Sequence, residues 1–344
     1  MLKKFALALL LLSLVAAGAV MADATVLINA AGATFPYPIY SKWFDVYHTK
    51  FQSIQINYAS VGSGAGIAQL TNGTVDFGAS DGPMNDDQLK DFKDKRGVSV
   101  LHFPTVLGAA VPTYNISNVA TDLNFTQKAL VGIYLGTITK WNDQEIVNAN
   151  KGVNLPATDI VVVHRSDGSG TTYIWTDFLS KASNDWASKV GKKTSVNWPV
   201  GLGGKGNEGV SGLVKQTPNS IGYVELIYAV QNKMSYGKVQ NADGKFIKAD
   251  LASVSAAAAA AAKSMPDDFR VSITNAAGAT AYPISSFTWL LIPSKISDTV
   301  KRDAIKGFLK WMLTDGQDYN EGLAYARLPK PVIEKELKAI SQIQ

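Results

Sequence analysis

The chain has 344 residues, a formal charge of +5, 46% hydrophobic residues and no cysteine. Without thiols there are no disulfides and no thiolate metal sites, so stability rests on apolar cores, and a chain of this length can form two. Its lysines are scattered rather than gathered into a basic stripe with interleaved aromatics, which sets nucleic acid aside as a partner.

Lys3 and Lys4 are followed by an apolar run from Phe5 to Val15 and by small residues up to Val20-Met21-Ala22. This is the layout of a secretory signal peptide over residues 1–22, with an apolar core too short to span a bilayer. No cysteine follows to carry a lipid, and no later stretch approaches ~18 consecutive apolar residues. The expected mature product is a soluble exported protein, periplasmic where the cell has two membranes, with its charge reduced from +5 to +3 by loss of the two lysines.

Short strand-like runs then alternate with amphipathic helical ones, the pattern of α/β architecture. Val26-Leu27-Ile28 reads as a first strand. Gly32 to Pro36 turns into a helix carrying Ile39, Trp43, Phe44 and Tyr47 on one face. Ile54 to Tyr58 reads as a second strand, followed by the turn Gly62-Ser63-Gly64-Ala65-Gly66 and a short helix over Ile67–Leu70. Val75 to Ala79 reads as a third strand, ending in Ser80-Asp81-Gly82-Pro83. Ile160 to Val163 is a buried type of strand, followed by Arg165 to Thr171 and a helix through Ile174, Phe178 and Leu179. Residues 181–209, rich in Gly, Lys and Asn, read as a long excursion. The alanine run 256–262 is accounted for by a plain surface helix, since alanine has the highest helix propensity. Ile305, Phe308, Leu309 and Met312 keep helical spacing and read as core.

Three glycine-containing turns share one layout, in which a strand leads through a small hydroxyl-bearing turn to a helix. Thr34, Ser63 and the Ser169/Thr171 pair fall at or near the expected helix N-termini. Such an end exposes unpaired N–H groups and the positive pole of the helix dipole, and so favours an anion. Each hydroxyl alone is explained by ordinary N-capping. Three of them together, with Arg165 beside one turn and Asp81 ending another strand, point to an oxyanion site at the carboxyl ends of the strands. An ionised carboxylate only accepts, so Asp81 requires a ligand with its own O–H. Hydrogen phosphate has one at neutral pH. Sulfate does not, and would set two negative groups against each other.

Catalysis finds less support. The three histidines are His48, His102 and His164. Asp167-Gly168-Ser169-Gly170 is not a Gly-x-Ser-x-Gly elbow, and His164, one strand position from Arg165, should face the other way. Gly201 to Asn207 lacks the Lys-Ser/Thr step of a P-loop. No His/Asp/Glu set has metal-ligand spacing. An exported phosphatase using Ser169 or Ser63 therefore stays a distant alternative to a binding protein.

The segments Ala31-Gly32-Ala33-Thr34-Phe35-Pro36, Val75 to Asp81, Arg165 to Thr171 and Trp198 to Asn207 closely resemble the periplasmic phosphate-binding proteins of phosphate-specific ABC transporters. Ile133 to Gly136 with Trp141, and Ile221 to Glu225, extend the resemblance through most of the mature chain. It implies a two-lobed α/β periplasmic-binding-protein fold of type II, with the ligand between the lobes. The chain should cross between lobes near Pro104–Ala110 and Ser285–Leu291. That places lobe I at residues 23–108 and 286–344 and lobe II at 109–285. The implied phosphate ligands are Thr34, Phe35 (through its N–H), Ser63 and Asp81 from lobe I. From lobe II they are Arg165, Ser169, Gly170 (through its N–H) and Thr171, with Asp167 orienting Arg165. The turn at Ser63 departs from relatives that often carry a second serine. The implied function is binding of inorganic phosphate, without catalysis, cofactor or metal, and its delivery by a monomer to a membrane permease. Other tetrahedral oxyanions are the alternatives: sulfate and molybdate, which Asp81 disfavours, and arsenate, which shares the protonation of phosphate.

Overall fold

The computed structural model describes residues 25–119 and 121–344. The signal peptide expected over residues 1–22 lies outside the described residues. Twelve strands are present among them: β1 (Val26–Gly32), β2 (Ile54–Ser60), β3 (Phe77–Ser80), β4 (Val100–Asn115), β5 (Asn124–Phe125), β6 (Val161–Arg165), β7 (Leu202–Gly204), β8 (Ser220–Glu225), β9 (Ser235–Tyr236), β10 (Lys238–Gln240), β11 (Phe246–Ile247) and β12 (Ser285–Pro293). Nine form one sheet in the order β2-β1-β3-β12-β4-β8-β6-β7, with β9 also on β4, and β11-β10-β5 form a small second sheet.

β4 joins the two halves of the large sheet. Its Val100–Ala109 portion pairs antiparallel with β12, and its Ala110–Asn115 portion pairs antiparallel with β8. On one side of this junction β1, β2 and β3 run parallel, and on the other β6 runs parallel to β7 and β8. β4 is buried along nearly its whole length and β12 throughout, as strands covered on both faces must be.

The helix Tyr37–Lys50 buries Ile39, Tyr40, Trp43, Phe44 and Tyr47, the stripe its spacing predicts, with Pro38 tolerated in the first turn where no intrahelical donor is needed. Thr299–Leu313 buries Ile305, Phe308, Leu309 and Met312 in the same manner. Among the described residues no helix is long and apolar enough to cross a membrane.

Three local expectations need correction. The glycine turn at 62–66 is itself helical, because the helix Ser63–Asn72 begins at Ser63 rather than Ile67. The excursion at 181–209 contains the helix Asn184–Lys189 and strand β7, and leads into the helix Gly206–Gln216. The alanine-rich helix Leu251–Lys263 is no plain surface helix. Ala257 and Ala258 are buried and the helix packs on β4 and β12, where small side chains allow close approach to the sheet.

Candidate functional site

Parallel pairing fixes where the site forms. β1 and β2 end in register at Gly32 and Ser60, and β3 reaches Ala79 beside Gly32, so the turns bearing Thr34, Ser63 and Asp81 leave one edge of the sheet together. Across the junction, β6 and β7 end in register at Arg165 and Gly204, which brings out Asp167, Ser169, Thr171 and Asn207. These two sets of turns face each other. Glycine is required at the first: Gly32 has φ +153°, and a Cβ there would lie 2.1 Å from the Ala79 carbonyl oxygen.

All nine residues singled out in the sequence lie in this one place. Arg165 is its centre and is buried. Its Nε and Nη2 donate to the two oxygens of Asp167 at 2.7 and 2.5 Å. The remaining Nη1 is thereby aimed into the cleft, where it donates to Thr34 Oγ1 at 3.2 Å and Thr171 Oγ1 at 3.4 Å. Burial by itself would raise the Asp167 carboxyl, but the bonds and charge of Arg165 and the Gly206 N–H hold it below the usual carboxylate value. His164, on the same strand, instead stacks on Trp198 outside this group.

Two helix N-termini converge on the same point. The helix Ser63–Asn72 opens with Ser63, which is fully buried. The helix Gly170–Ala182 is capped by Ser169, whose Oγ accepts from Thr172 N–H at 3.1 Å. A Cβ at Gly170 would lie 2.3 Å from Asp81 Oδ2 and 2.5 Å from Ser63 Oγ, so the two halves touch here and the glycine makes the approach possible. Gly64 N–H also donates across to the Gly168 carbonyl at 2.8 Å. The Thr34–Phe35 turn is pinned by two tyrosines: Tyr228 OH donates to Thr34 O at 2.7 Å and Tyr325 OH to Phe35 O at 2.5 Å.

Asp81 differs from everything around it. It is fully buried, its Oδ1 accepts from Thr288 Oγ1 at 2.7 Å, and its Oδ2 has no hydrogen-bond partner in the protein. Burial pushes its carboxyl up to about 7, against the opposing effects of the Thr288 hydrogen bond, the Arg165 charge and Ser63. The cleft thus offers a guanidinium, hydroxyls and two helix N-termini as donors, with one acceptor oxygen among them. Among the described residues no cluster of His, Asp and Glu is placed to hold a metal ion.

Sequence reasoning missed Asn207 and Thr288. Asn207 donates through Nδ2 to Thr34 Oγ1 at 2.8 Å and to Thr171 Oγ1 at 3.3 Å, and its Oδ1 accepts from Glu225 N–H at 2.9 Å. Its segment repeats the layout of the others, a strand ending in Gly203-Gly204 that passes through Lys205 into a helix starting at Gly206, and that repetition was the available signal. Thr288 sits at a register shift in β12 and carried no such mark.

A family model described as a PBP superfamily domain matches residues 19–316. A phosphate-binding protein PstS from Xylella fastidiosa (strain Temecula1) is 46% identical over 316 residues, which is 92% of this chain and 85% of that protein. The chain belongs to the PstS family of phosphate-binding proteins. A second family member, from Pasteurella multocida, is 42% identical over 90% of this chain and 88% of its own. Among solved structures, a phosphate binding protein from Stenotrophomonas maltophilia aligns with a TM-score of 0.70 over 91% of this chain and 94% of its own, at 18% identity, and shows a shared fold. The α/β type II periplasmic-binding-protein fold implied by the resemblance is the fold of this chain.

Proposed function

We propose that this chain binds inorganic phosphate between two lobes and delivers it, outside the cytoplasm, to the permease of an ABC transporter. The observation that carries the reading is Asp81 Oδ2, a buried oxygen without a protein donor, set among groups that donate. Hydrogen phosphate matches that pattern. Its deprotonated oxygens accept from Arg165, Thr34, Ser63, Ser169, Thr171 and the N–H groups of Phe35 and Gly170, while its O–H donates to Asp81. Asp167 holds Arg165 in place. Sulfate has no proton to offer, so Asp81 acts against it.

The names of the PstS relatives support phosphate as the ligand and binding rather than catalysis as the task. The change of pairing partner along β4, between Ala109 and Ala110, supports a lobe division at 108/109 and at 285/286. Lobe I then holds 23–108 and 286–344, and lobe II 109–285. The protein works as a periplasmic monomer after removal of residues 1–22, and binding closes the lobes into the form the permease recognises.

Calorimetric titration tests the reading on mature chain that has been unfolded and refolded to strip carried-over anion. Tight one-to-one heat with phosphate and none with sulfate is the expected outcome. Sulfate binding, or no binding by correctly refolded protein, would overturn it. Arsenate, which shares the protonation and geometry of phosphate, is expected to compete.

A further inference from the structure

Thr34 and Thr171 belong to opposite lobes in the reading above, yet their hydroxyls meet the same two side chains. Thr34 Oγ1 receives Asn207 Nδ2 at 2.8 Å, Arg165 Nη1 at 3.2 Å and Asn207 N–H at 3.3 Å. Thr171 Oγ1 receives Asn207 Nδ2 at 3.3 Å and Arg165 Nη1 at 3.4 Å. A hydroxyl has two lone pairs and one proton. In both threonines the lone pairs are engaged by donors, so each hydroxyl has only its proton left to offer.

The amide that does this cannot turn over. Asn207 is fully buried, and its Oδ1 accepts from Glu225 N–H at 2.9 Å, which forces Nδ2 toward the threonines. Glu225 is itself fixed, since its Oε2 accepts from Ile227 N–H at 2.7 Å at the start of the next helix. Flipping the amide would set Nδ2, a donor, against the Glu225 N–H and strip both threonines of a donor.

We propose that Asn207 is a positioning and specificity-determining residue: it sets the polarity of Thr34 and Thr171, so that both hydroxyls donate to the bound anion from opposite lobes. It acts through the threonines and does not itself touch the ligand. Because the bond to Thr34 spans the cleft, the same amide couples anion recognition to closure. This inference rests on the phosphate reading and adds to it a reason why the site rejects any ligand needing acceptors at these two positions.

The test is phosphate titration of the full mature chain with Asn207→Ala and Asn207→Asp, and of Thr34→Val and Thr171→Val, each with and without Asn207→Ala. Asn207→Ala should weaken phosphate binding about tenfold to a hundredfold, the scale of two lost hydrogen bonds. On either valine background its effect should shrink at least about threefold, because one of its two targets is already gone. Asn207→Asp should bind more weakly than Asn207→Ala, since a carboxylate would take up the hydroxyl protons and turn lone pairs toward the anion. An undiminished effect on both valine backgrounds would overturn the proposal, as would an Asn207→Asp variant binding as tightly as Asn207→Ala. If circular dichroism shows the valine variants unfolded, the Asp-against-Ala comparison decides alone. Failure of the unmodified chain to bind phosphate would remove the phosphate reading itself, an outcome separate from additivity in the cycle.

Discussion

At Asp81 the two carboxylate oxygens have different surroundings: Oδ1 is held by Thr288, while Oδ2 is buried without a protein donor. Asparagine at this position keeps the shape, removes the negative charge and gains a donor. Asp81→Asn should therefore raise sulfate affinity at least about tenfold and narrow the preference for phosphate, since a like-charge repulsion in a dry site is worth more than one factor of ten. Equal phosphate-to-sulfate ratios in mutant and parent, measured by competition titration, would remove Asp81 from the selectivity. Arg165 makes a second residue-scale case. Its fork donates to Asp167 with one edge and to the cleft with Nη1, a division that a lysine ammonium cannot reproduce. Arg165→Lys should weaken phosphate binding by about a hundredfold although the charge is kept, which calorimetry would read directly.

Elements meet across the cleft through glycines. Gly64 and Gly168 approach backbone to backbone, Gly170 lies on Asp81 and Ser63, and Gly82 lies under the ring of Tyr173 from the helix Gly170–Ala182. A Cβ at Gly82 would come within 2.7 Å of Tyr173 Cγ and Cδ1, and it is this ring that excludes a side chain there. Gly82→Ala should thus obstruct closure and weaken phosphate binding about tenfold or more, while Gly82→Ala with Tyr173→Ala should recover most of that loss. An alanine at 82 that binds normally would show that the ring yields. Much of this layer was readable beforehand. The helix Tyr37–Lys50 follows from the period of its apolar residues, and the site's hydroxyls from their place between strand and helix. β4 was not readable as one 16-residue strand, because it is buried on both faces and shows no alternation, and because Pro104 and Pro112 interrupt it. Asn207 was not assigned a role because its partner Thr34 lies 173 residues away, and only the folded sheet brings the two turns together.

For the whole molecule, the closed form proposed above carries an electrostatic cost that depends on pH. Burial pushes Asp81 up from 3.8 to about 7, and Glu225, fully buried at the end of β8, is also pushed well above its usual value, first by burial and further by the charge of Asp81. When the cleft opens and water reaches Asp81, its carboxyl returns toward its ordinary value. Between pH about 4 and about 7, then, the closed form holds a proton that the open form has released. The contribution of this proton to closure is fully present below the ordinary value and is lost as pH rises through about 7, at no more than about 1.4 kcal/mol per pH unit for one group. Ligand-free protein should accordingly have a larger radius of gyration at pH 8 than at pH 5 by small-angle X-ray scattering. Asp81→Asn should reduce that difference, and saturating phosphate at pH 8 should restore the compact value, because the ligand's O–H satisfies the carboxylate that water would otherwise solvate. A radius independent of pH in the ligand-free parent would mean that the lobes do not separate enough to hydrate Asp81, and closure would then have to be driven by the donors of Arg165 and the helix N-termini alone.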